Sequence, residues 1–362
     1  MVWDMPPYLE PDFTQARFQA APDVKLVPAP KKGVAPENYH AMSIFPEYFK
    51  IDGKWLLAAD SRMDCVAVYK RQAIQVVEFR NLLQGDLVVV GRTEQGKEGI
   101  FVHSRAFAAE PESQDVFAFR QGRSRETSYS RDYDSIYALL EHEQKHGQII
   151  WVLGPACAFD ARSRQAFAKL IRQGFVDGLM AGNALATHDL EASYLRTALG
   201  QDVYTQKLVP LGHYNHLDTI NKVRLYGSIP EFIRQEHLGD GIMLACAEKK
   251  IPYVLVGSIR DDGPLPEVYG DVYAGQDAMR SMLQGATTVI CMASMLHTIA
   301  TGNMFPSYRV REGRVRPTFF YSVDISEFAV NKLRDRGSLS VKTIVTNVQD
   351  FIVNVSQGVC RD

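Results

Sequence analysis

The segment Gly257–Glu267 carries a dense group of chemically useful side chains. It reads Gly-Ser-Ile-Arg-Asp-Asp-Gly-Pro-Leu-Pro-Glu and directly follows the apolar run Ile251–Val256. Arg260 could bind a carboxylate through two parallel hydrogen bonds, and an aspartate or Glu267 could hold an ammonium group. The alternative is a solvated charged turn. The segment therefore predicts a binding site for a small polar metabolite.

His297 follows a second apolar run, Thr287–Met292, after the residues Ala293-Ser294-Met295-Leu296. Imidazole exchanges protons near neutral pH, so a histidine at this position could carry a proton in catalysis. A lone histidine is usually structural, but His297 is the one that lies directly beyond a predicted central strand. We therefore take it as a candidate catalytic residue.

A glycine turn after the run Ile149–Leu153 could approach a phosphate. Gly154, Pro155 and Ala156 precede a helix that is predicted to begin near Asp160. The free N–H groups and the positive dipole end of a helix N-terminus suit an anion. The fingerprint GxGxxG is absent, so this is not a standard Rossmann turn, and a plain turn is the alternative.

A second glycine turn, Gly182-Asn183-Ala184, follows the run Val176–Ala181. Gly182 would let a ligand approach the backbone closely, and Asn183 offers a donor and an acceptor to a ribose or a carboxamide. Asn183 could instead cap the helix that follows. Asp324, after a later run, could likewise bind ribose hydroxyls or cap a helix.

These residues share one feature, which is their position after apolar runs that alternate with helical patterns. The runs, typical of buried parallel strands, are Ile149–Leu153, Val176–Ala181, Ile251–Val256, Thr287–Met292, Thr318–Val323 and Thr343–Val348. The helical patterns cover 161–173, 184–199, 216–226, 230–249, 272–283, 326–336 and 348–356. This alternation predicts an α/β fold with an open, doubly wound parallel sheet. Such sheets bind ligands outside the carboxyl ends of their strands.

The residues before this region predict a smaller domain. Residues 1–40 are rich in proline and are predicted to form an irregular arm. Short β-type runs at Trp55–Ala59, Cys65–Tyr69, Ile74–Phe79 and Asp86–Val90 predict a β-rich domain. We therefore divide the chain into the arm (1–40), the β-rich domain with a linker (41–132) and an α/β domain (133–362).

Composition excludes several classes of protein. The formal net charge is -2, and no run of lysine and arginine provides a footprint for nucleic acid. No signal-peptide pattern or membrane-spanning apolar stretch occurs, so we expect a cytoplasmic protein that does not bind a membrane. The five cysteines form no CxxC pair, and no carboxylate near His213 and His216 completes a convincing ligand spacing, so neither disulfides nor a metal site is expected.

The string Ala181-Gly182-Asn183-Ala184-Leu185-Ala186-Thr187-His188-Asp189 resembles the lysine-ketoglutarate reductase/saccharopine dehydrogenase (LOR/SDH) conserved-region family. Supporting strings are Gly212–His216, Gly257–Pro266, Met295–Met304, Glu327–Leu333 and, in the β-rich domain, Arg62–Cys65 and Gln84–Asp86. Members include archaeal-type ornithine cyclodeaminases and the proline-forming half of arginine-degrading fusion proteins. The resemblance covers roughly Tyr39 to Val355. It also implies an NAD domain similar to that of deoxyhypusine synthase, and the family makes a homodimer plausible.

The resemblance implies a cofactor, NAD, and a set of site residues. Asp262 and His297 would carry protons, and Arg260, Glu267 and Asp64 would bind an amino-acid substrate. The residues implied at the cofactor are Gly154, Pro155, Ala156, Gly182, Asn183, Ala184, Ser258, Asp262, Ser294, Met295, His297, Asn303, Asp324 and Asn347. The string Cys157-Ala158-Phe159-Asp160 departs from the pattern expected of the family, which leaves the substrate open.

If the chain is an ornithine cyclodeaminase, NAD takes a hydride from the α-carbon of L-ornithine and later returns it, giving L-proline and ammonia. Positioning of the substrate against the nicotinamide would supply most of the catalysis. The alternatives are an amino-acid or opine-type dehydrogenase, a cyclodeaminase for another diamino acid, and a non-catalytic NAD-binding sensor. NADP in place of NAD also stays open.

Overall fold

A computed structural model describes residues 3–107, 130–261, 263–325 and 341–361. The chain divides into two compact units. The larger unit comprises Met1–Trp3, Gly122–Thr301 and Phe319–Asp362, and the smaller unit comprises Asp4–Gln121 and Gly302–Thr318. None of the described helices is long and apolar enough to cross a membrane.

The strands are numbered in chain order. They are β1 (Lys25–Pro28), β2 (Glu47–Ile51), β3 (Lys54–Leu57), β4 (Val66–Lys70), β5 (Ala73–Val77), β6 (Leu87–Val90), β7 (Ile100–Val102), β8 (Ile149–Leu153), β9 (Gly178–Gly182), β10 (Thr197–Ala198), β11 (Gln201–Asp202), β12 (Tyr253–Val256), β13 (Val268–Tyr269), β14 (Thr288–Met292), β15 (Tyr308–Arg311), β16 (Arg314–Pro317), β17 (Phe319–Asp324) and β18 (Val341–Val345).

The α-helices are numbered in the same way. They are α1 (Ala16–Gln19), α2 (Ser130–His146), α3 (Ala161–Arg172), α4 (Asn183–Leu195), α5 (Asn215–Tyr226), α6 (Ile229–Gln235), α7 (Ile242–Lys249), α8 (Val272–Leu283), α9 (Met295–Met304) and α10 (Val348–Val359).

A seven-stranded sheet with the order β13-β12-β9-β8-β14-β17-β18 forms the core of the larger unit, and all of its strand pairs are parallel. The predicted doubly wound α/β fold is therefore confirmed. Every residue of β8 and β14 is buried. Strands covered on both faces must be apolar throughout, which explains why continuous runs rather than alternation marked them in the sequence.

The helices differ from the prediction in three places. The pattern 184–199 was predicted as helix to its end, but α4 ends at Leu195 and residues 197–198 form β10. The pattern 230–249 was predicted as one helix, but it forms α6 and α7, because the backbone between them leaves the helical region, with φ 52° at His237 and φ 122° at Gly241. Helix α9 was not predicted. The predicted helix 326–336 lies outside the described residues.

The smaller unit contains a four-stranded antiparallel sheet, β1-β6-β4-β5, and a three-stranded one, β3-β2-β7. Residues 1–40 were predicted to be an irregular arm, but they supply β1 and the fully buried Phe18. The segment Gly302–Thr318, which includes the β15–β16 hairpin, also belongs to this unit rather than to the α/β unit. The N-terminal β-rich region is confirmed, with strands contributed from both parts of the chain.

A buried ion pair joins three helices of the larger unit. Arg164 of α3 donates from Nε to the carboxylate of Asp189 in α4 at 2.8 Å, and both side chains are inaccessible to solvent. The same carboxylate accepts from the backbone N–H groups of Ile242 and Met243, the first residues of α7, at 3.0 and 2.8 Å. One side chain therefore neutralises a buried cation and satisfies a helix N-terminus.

We expect Asp189→Ala to lower the free energy of unfolding by about 3–5 kcal/mol, because it leaves the buried guanidinium of Arg164 with only the partly exposed Asp240 as a counter-charge. The exposed pair Arg172–Glu248, also an arginine of α3 with a carboxylate, provides the matched control. Glu248→Ala should cost less than about 1 kcal/mol. Urea unfolding followed by circular dichroism measures both, and equal losses would contradict the importance of the buried pair.

Candidate functional site

The carboxyl ends of the parallel strands bring most of the predicted site residues to one edge of the larger unit. The chain runs from β8 through β9 and β12 to β13 on one side, while β14, β17 and β18 lie on the other side of β8. The boundary between β8 and β14 is therefore the topological switch point, where open α/β sheets bind their ligands. Gly154, at the end of β8, lies at this boundary.

Gly154 allows the ends of β8 and β14 to approach each other closely. Its N–H group donates to the carbonyl of Met292 at 2.7 Å, and a Cβ atom at this position would overlap the carbonyl of Ala293. Pro155 and Ala156 follow in a 3-10 turn, and Asp160 then caps α3 by accepting from the N–H of Ser163. The predicted turn and helix start are both present.

Gly182 rather than Asn183 is the N-cap residue of α4, so no side chain caps the first amides of this helix. Asn183 is the first helical residue, and its Oδ1 accepts from the N–H of Leu265 at 3.0 Å. Asn183 thereby anchors the 257–267 loop. Ala184 follows it in the uncapped first turn of α4.

His297, in the first turn of α9, lies against the end of β9. Its Cε1 atom would be 3.3 Å from a Cβ atom at Gly182, and its Nδ1 is 3.2 Å from the Oγ of Ser294. Burial lowers the pKa of His297, because it disfavours the charged ring. A hydrogen bond to the Val256 carbonyl and the negative charge of Asp261 offset part of this effect.

The loop that follows β12 presents its polar groups to solvent. Asp261 accepts from the N–H of Ser258 at 2.7 Å, and the Oγ of Ser258 accepts from the N–H of Arg260 at 3.2 Å. Ser258 and Arg260 are exposed, as is Ile259 at the tip. The Arg260 guanidinium pairs with no described residue, so it is available to a ligand. Asp262 lies outside the described residues.

Glu267 does not join this group. The register pairs Leu255 with Val268, so Glu267 lies level with Val254, two residues before the end of β12. Its Oε1 accepts from the N–H of Ile229, the first residue of α6, at 2.5 Å. Its other oxygen, Oε2, is buried without a hydrogen-bond partner among the described residues, so the predicted contact of Glu267 with a substrate stays a prediction.

The remaining predicted cofactor residues of the larger unit also lie at strand ends. Ser294 and the half-exposed Met295 lie just beyond β14. Asp324 is the last residue of β17, and its carbonyl accepts from the N–H of Thr346 at 3.1 Å. Asn347 caps α10, because its side chain accepts hydrogen bonds from the N–H groups of Gln349 and Asp350.

Two predicted residues, Asp64 and Asn303, lie in the smaller unit, where a backbone hydrogen bond joins their two segments. The N–H of Met63 donates to the carbonyl of Asn303 at 3.1 Å. The adjacent Asp64 is exposed and has φ 62°. The Asn303 Oδ1 is buried without a hydrogen-bond partner among the described residues. The structure therefore brings these two predicted residues together.

A buried polar chain on α4 was not singled out from the sequence. The Nδ1 of His188 is 2.8 Å from Oε2 of Glu191, and Oε1 of Glu191 accepts from the Thr197 hydroxyl at 2.7 Å. Asn215 donates to the same hydroxyl oxygen at 2.8 Å. The pattern His-x-x-Glu on a helix that starts at a strand end was the available signal, since residues three apart share a helix face.

Residues 136–355 match the family model described as "Arginine dihydrolase ArgZ-like, C-terminal, Rossmann fold". The chain is 39% identical over 341 residues to the ornithine cyclodeaminase of Methanopyrus kandleri, covering 91% of this chain and 77% of that relative. The chain belongs to the archaeal-type ornithine cyclodeaminase family. The ornithine cyclodeaminase of Methanocaldococcus jannaschii is also 39% identical, over 345 residues that cover 91% of this chain and 76% of that relative.

Solved structures agree with this family. The LOR/SDH protein of Methanococcus maripaludis superimposes with a TM-score of 0.85 at 32% identity, covering 93% of this chain and 98% of that one. The ternary complex of AgrE with ornithine and NAD+ matches with a TM-score of 0.57 at 30% identity, covering 94% of this chain and 46% of that one. The implied similarity to deoxyhypusine synthase stays a prediction.

We expect Gly154→Ala to destabilise the protein by about 1–3 kcal/mol or more, because the new methyl group forces the ends of β8 and β14 apart. Gly270→Ala is the matched control, since a Cβ atom there would meet no atom within 4 Å. The control should change the free energy of unfolding by less than about 0.5 kcal/mol. Urea unfolding measures both, and an undisturbed Gly154→Ala protein would contradict the close approach of the two strands.

Proposed function

We propose that this chain is an NAD-dependent ornithine cyclodeaminase that converts L-ornithine to L-proline and ammonia. The observation that carries the proposal is the 39% identity to archaeal ornithine cyclodeaminases over 91% of the chain. The solved complex of AgrE with ornithine and NAD+, a relative at 30% identity, supports the choice of substrate and cofactor. The predicted site residues at one edge of the sheet are consistent with it.

The strand ends fit a dinucleotide. Without a side-chain cap, the first amides of α4 can donate to a phosphate or a ribose, and the His297 ring lies against Gly182 beside them. Gly154 and Ser294 flank the switch point, where such cofactors bind. NAD, when bound there, supplies a hydride acceptor and donor, so that the reaction ends without net oxidation.

The side chains of this edge would bind and orient the amino acid. Arg260, exposed and without a partner among the described residues, would hold the α-carboxylate through paired hydrogen bonds. His297 is kept neutral by burial, and its Nδ1 is held by Ser294. The neutral ring of His297 and the carboxylate of Asp262 would hold or move protons at the two substrate nitrogens.

The reaction balances without a further reagent. The δ-nitrogen of ornithine forms a bond to the α-carbon, and the α-nitrogen leaves. The proton lost by the δ-ammonium group ends on the departing ammonia, so no proton is consumed. The protein needs to supply positioning and proton transfer, which are the tasks that the exposed loop 257–267 and His297 can perform.

Incubation of the purified protein with L-ornithine and a catalytic amount of NAD should give proline and ammonia in equal yield without accumulation of NADH. Mass spectrometry follows both products, and absorbance follows NADH. Release of NADH without proline would assign the chain to the dehydrogenases. No turnover of any diamino acid despite tight NAD binding would indicate a binding protein.

We expect His297→Ala and Asp262→Asn each to lower kcat by about 100-fold or more, the usual contribution of a positioned acid or base. His213→Ala, which removes an exposed histidine of the 212–214 turn, is the control and should retain the wild-type rate. Turnover within about threefold of wild type in either test variant would remove that residue from proton transfer.

A further inference from the structure

The polar chain that begins at His188 lies on α4, the helix that starts at the end of β9. Glu191 is fully buried, Thr197 is 2% exposed and His188 is 7% exposed. A carboxylate in such a place is costly unless each of its oxygens is hydrogen-bonded. Both are: Oε2 lies 2.8 Å from the His188 Nδ1, and Oε1 accepts from the Thr197 hydroxyl.

This chain fixes the orientation of the His188 ring. Asn215, the first residue of α5, donates to the Thr197 hydroxyl oxygen, so three elements hold the Glu191 carboxylate in place. Phe159 packs edge-on against the imidazole, with ring centroids 5.5 Å apart. Because Phe159 follows the 3-10 turn Pro155–Ala158, His188 lies beside the turn at the end of β8.

The two nitrogens of His188 are in different situations. Nδ1 is bound to Glu191, whereas Nε2 makes no hydrogen bond to any described residue. The His188 side chain is 9% exposed, so part of the ring reaches the solvent-accessible surface. A carboxylate that fixes one imidazole nitrogen and leaves the other open is the arrangement by which proteins orient a histidine toward a substrate.

His297 does not offer the same open nitrogen. Its Nδ1 is 3.2 Å from the Ser294 hydroxyl, and its other nitrogen faces the carbonyl of Val256. A ring with both nitrogens engaged can hold a proton at a fixed position, which is the task proposed for His297 above. The Nε2 of His188 has no such contact with a described residue, so it can take up a proton directly.

We propose that His188 is a further catalytic residue, oriented by Glu191, that accepts a proton from a nitrogen of the diamino-acid substrate through Nε2. The proposal rests on the cyclodeaminase function proposed above. The Nε2 lone pair takes the proton from the substrate ammonium group, which frees that nitrogen to attack. The same proton is then delivered to the departing amine, so the ring returns to its starting state.

The titratable groups around the His188 imidazole are the ones that a test must change one at a time. Two titratable groups lie against His188: Glu191 on its own helix, and His216 of α5 with ring centroids 6.1 Å apart. Glu191 is the group that holds Nδ1, so a change of its carboxylate alters proton transfer at the ring while the ring itself stays in place.

The experiment compares pH–rate profiles of proline formation by the NAD-loaded wild type, Glu191→Gln, His188→Gln and, as the matched control, His216→Gln. Glu191→Gln keeps a side chain that can hydrogen-bond to His188 and Thr197 and removes only the charge. We expect the acidic limb of its profile to move, with NAD affinity within about threefold of wild type. His188→Gln should lose about 100-fold or more in kcat, and the acidic limb should disappear. His216→Gln should leave the position of the limb unchanged.

A structural role for His188 and Glu191 would lower rates or melting temperatures without moving the limb, and that result would overturn the proposal. Movement of the limb in His216→Gln alone would overturn it as well. If His188→Gln does not fold, the limb of Glu191→Gln decides. A wild-type protein that forms no proline contradicts the proposed function itself, whereas proline formation with an unmoved limb contradicts only the role of His188.

Discussion

The buried ion pair between Arg164 and Asp189 is the interaction on which the carboxyl edge of the sheet depends. It joins α3 to α4, and its carboxylate also receives the first amides of α7. Two charges removed from water stabilise a fold only when the remaining polar atoms find partners. Asp189 meets that condition with three hydrogen bonds in a site that solvent does not reach, so α4 has little freedom to rotate or slide.

A fixed rotation of α4 determines where its polar side chains point. Successive residues of an α-helix are turned by about 100°, so His188 and the adjacent Asp189 cannot face the same neighbour. Asp189 faces α3 and α7, and His188 faces Phe159 and α5. Asn183, at the start of the helix, faces the loop after β12. The ion pair thus sets the positions of two residues that it does not touch.

Most of the fold could be predicted because local sequence patterns determine most of its strands and helices. The run Ile149–Leu153 and the helix 272–283 have the predicted bounds, since a fully buried strand must be apolar and an aspartate at 271 caps its helix. The membership of Gly302–Thr318 in the smaller unit depends on long-range pairing that no local pattern encodes. The same is true of β1, whose partner β6 lies about 60 residues away.

The site residues divide in the same way, into those that local patterns predict and those that depend on long-range pairing. The rule for parallel sheets located Gly154, Gly182 and His297 at one edge, because it depends only on where strands end. The position of Glu267 along the sheet could not be predicted, because it is set by the register of β13 against β12 and an 11-residue connection does not reveal that register.

The pair His188–Glu191 passed unnoticed for a physical reason. A helix buried on nearly every side, as α4 is, shows no polar face, so its charged residues do not stand out as a stripe. Their significance appears only with their partners: Arg164 neutralises Asp189, and the Thr197 hydroxyl donates a hydrogen bond to Glu191. A buried carboxylate beside a histidine costs stability unless both of its oxygens are hydrogen-bonded. Residues of three elements, α4, β10 and α5, together complete those hydrogen bonds. His188 Nε2, which makes no hydrogen bond to any described residue, is consequently an informative atom about what the edge of the sheet binds.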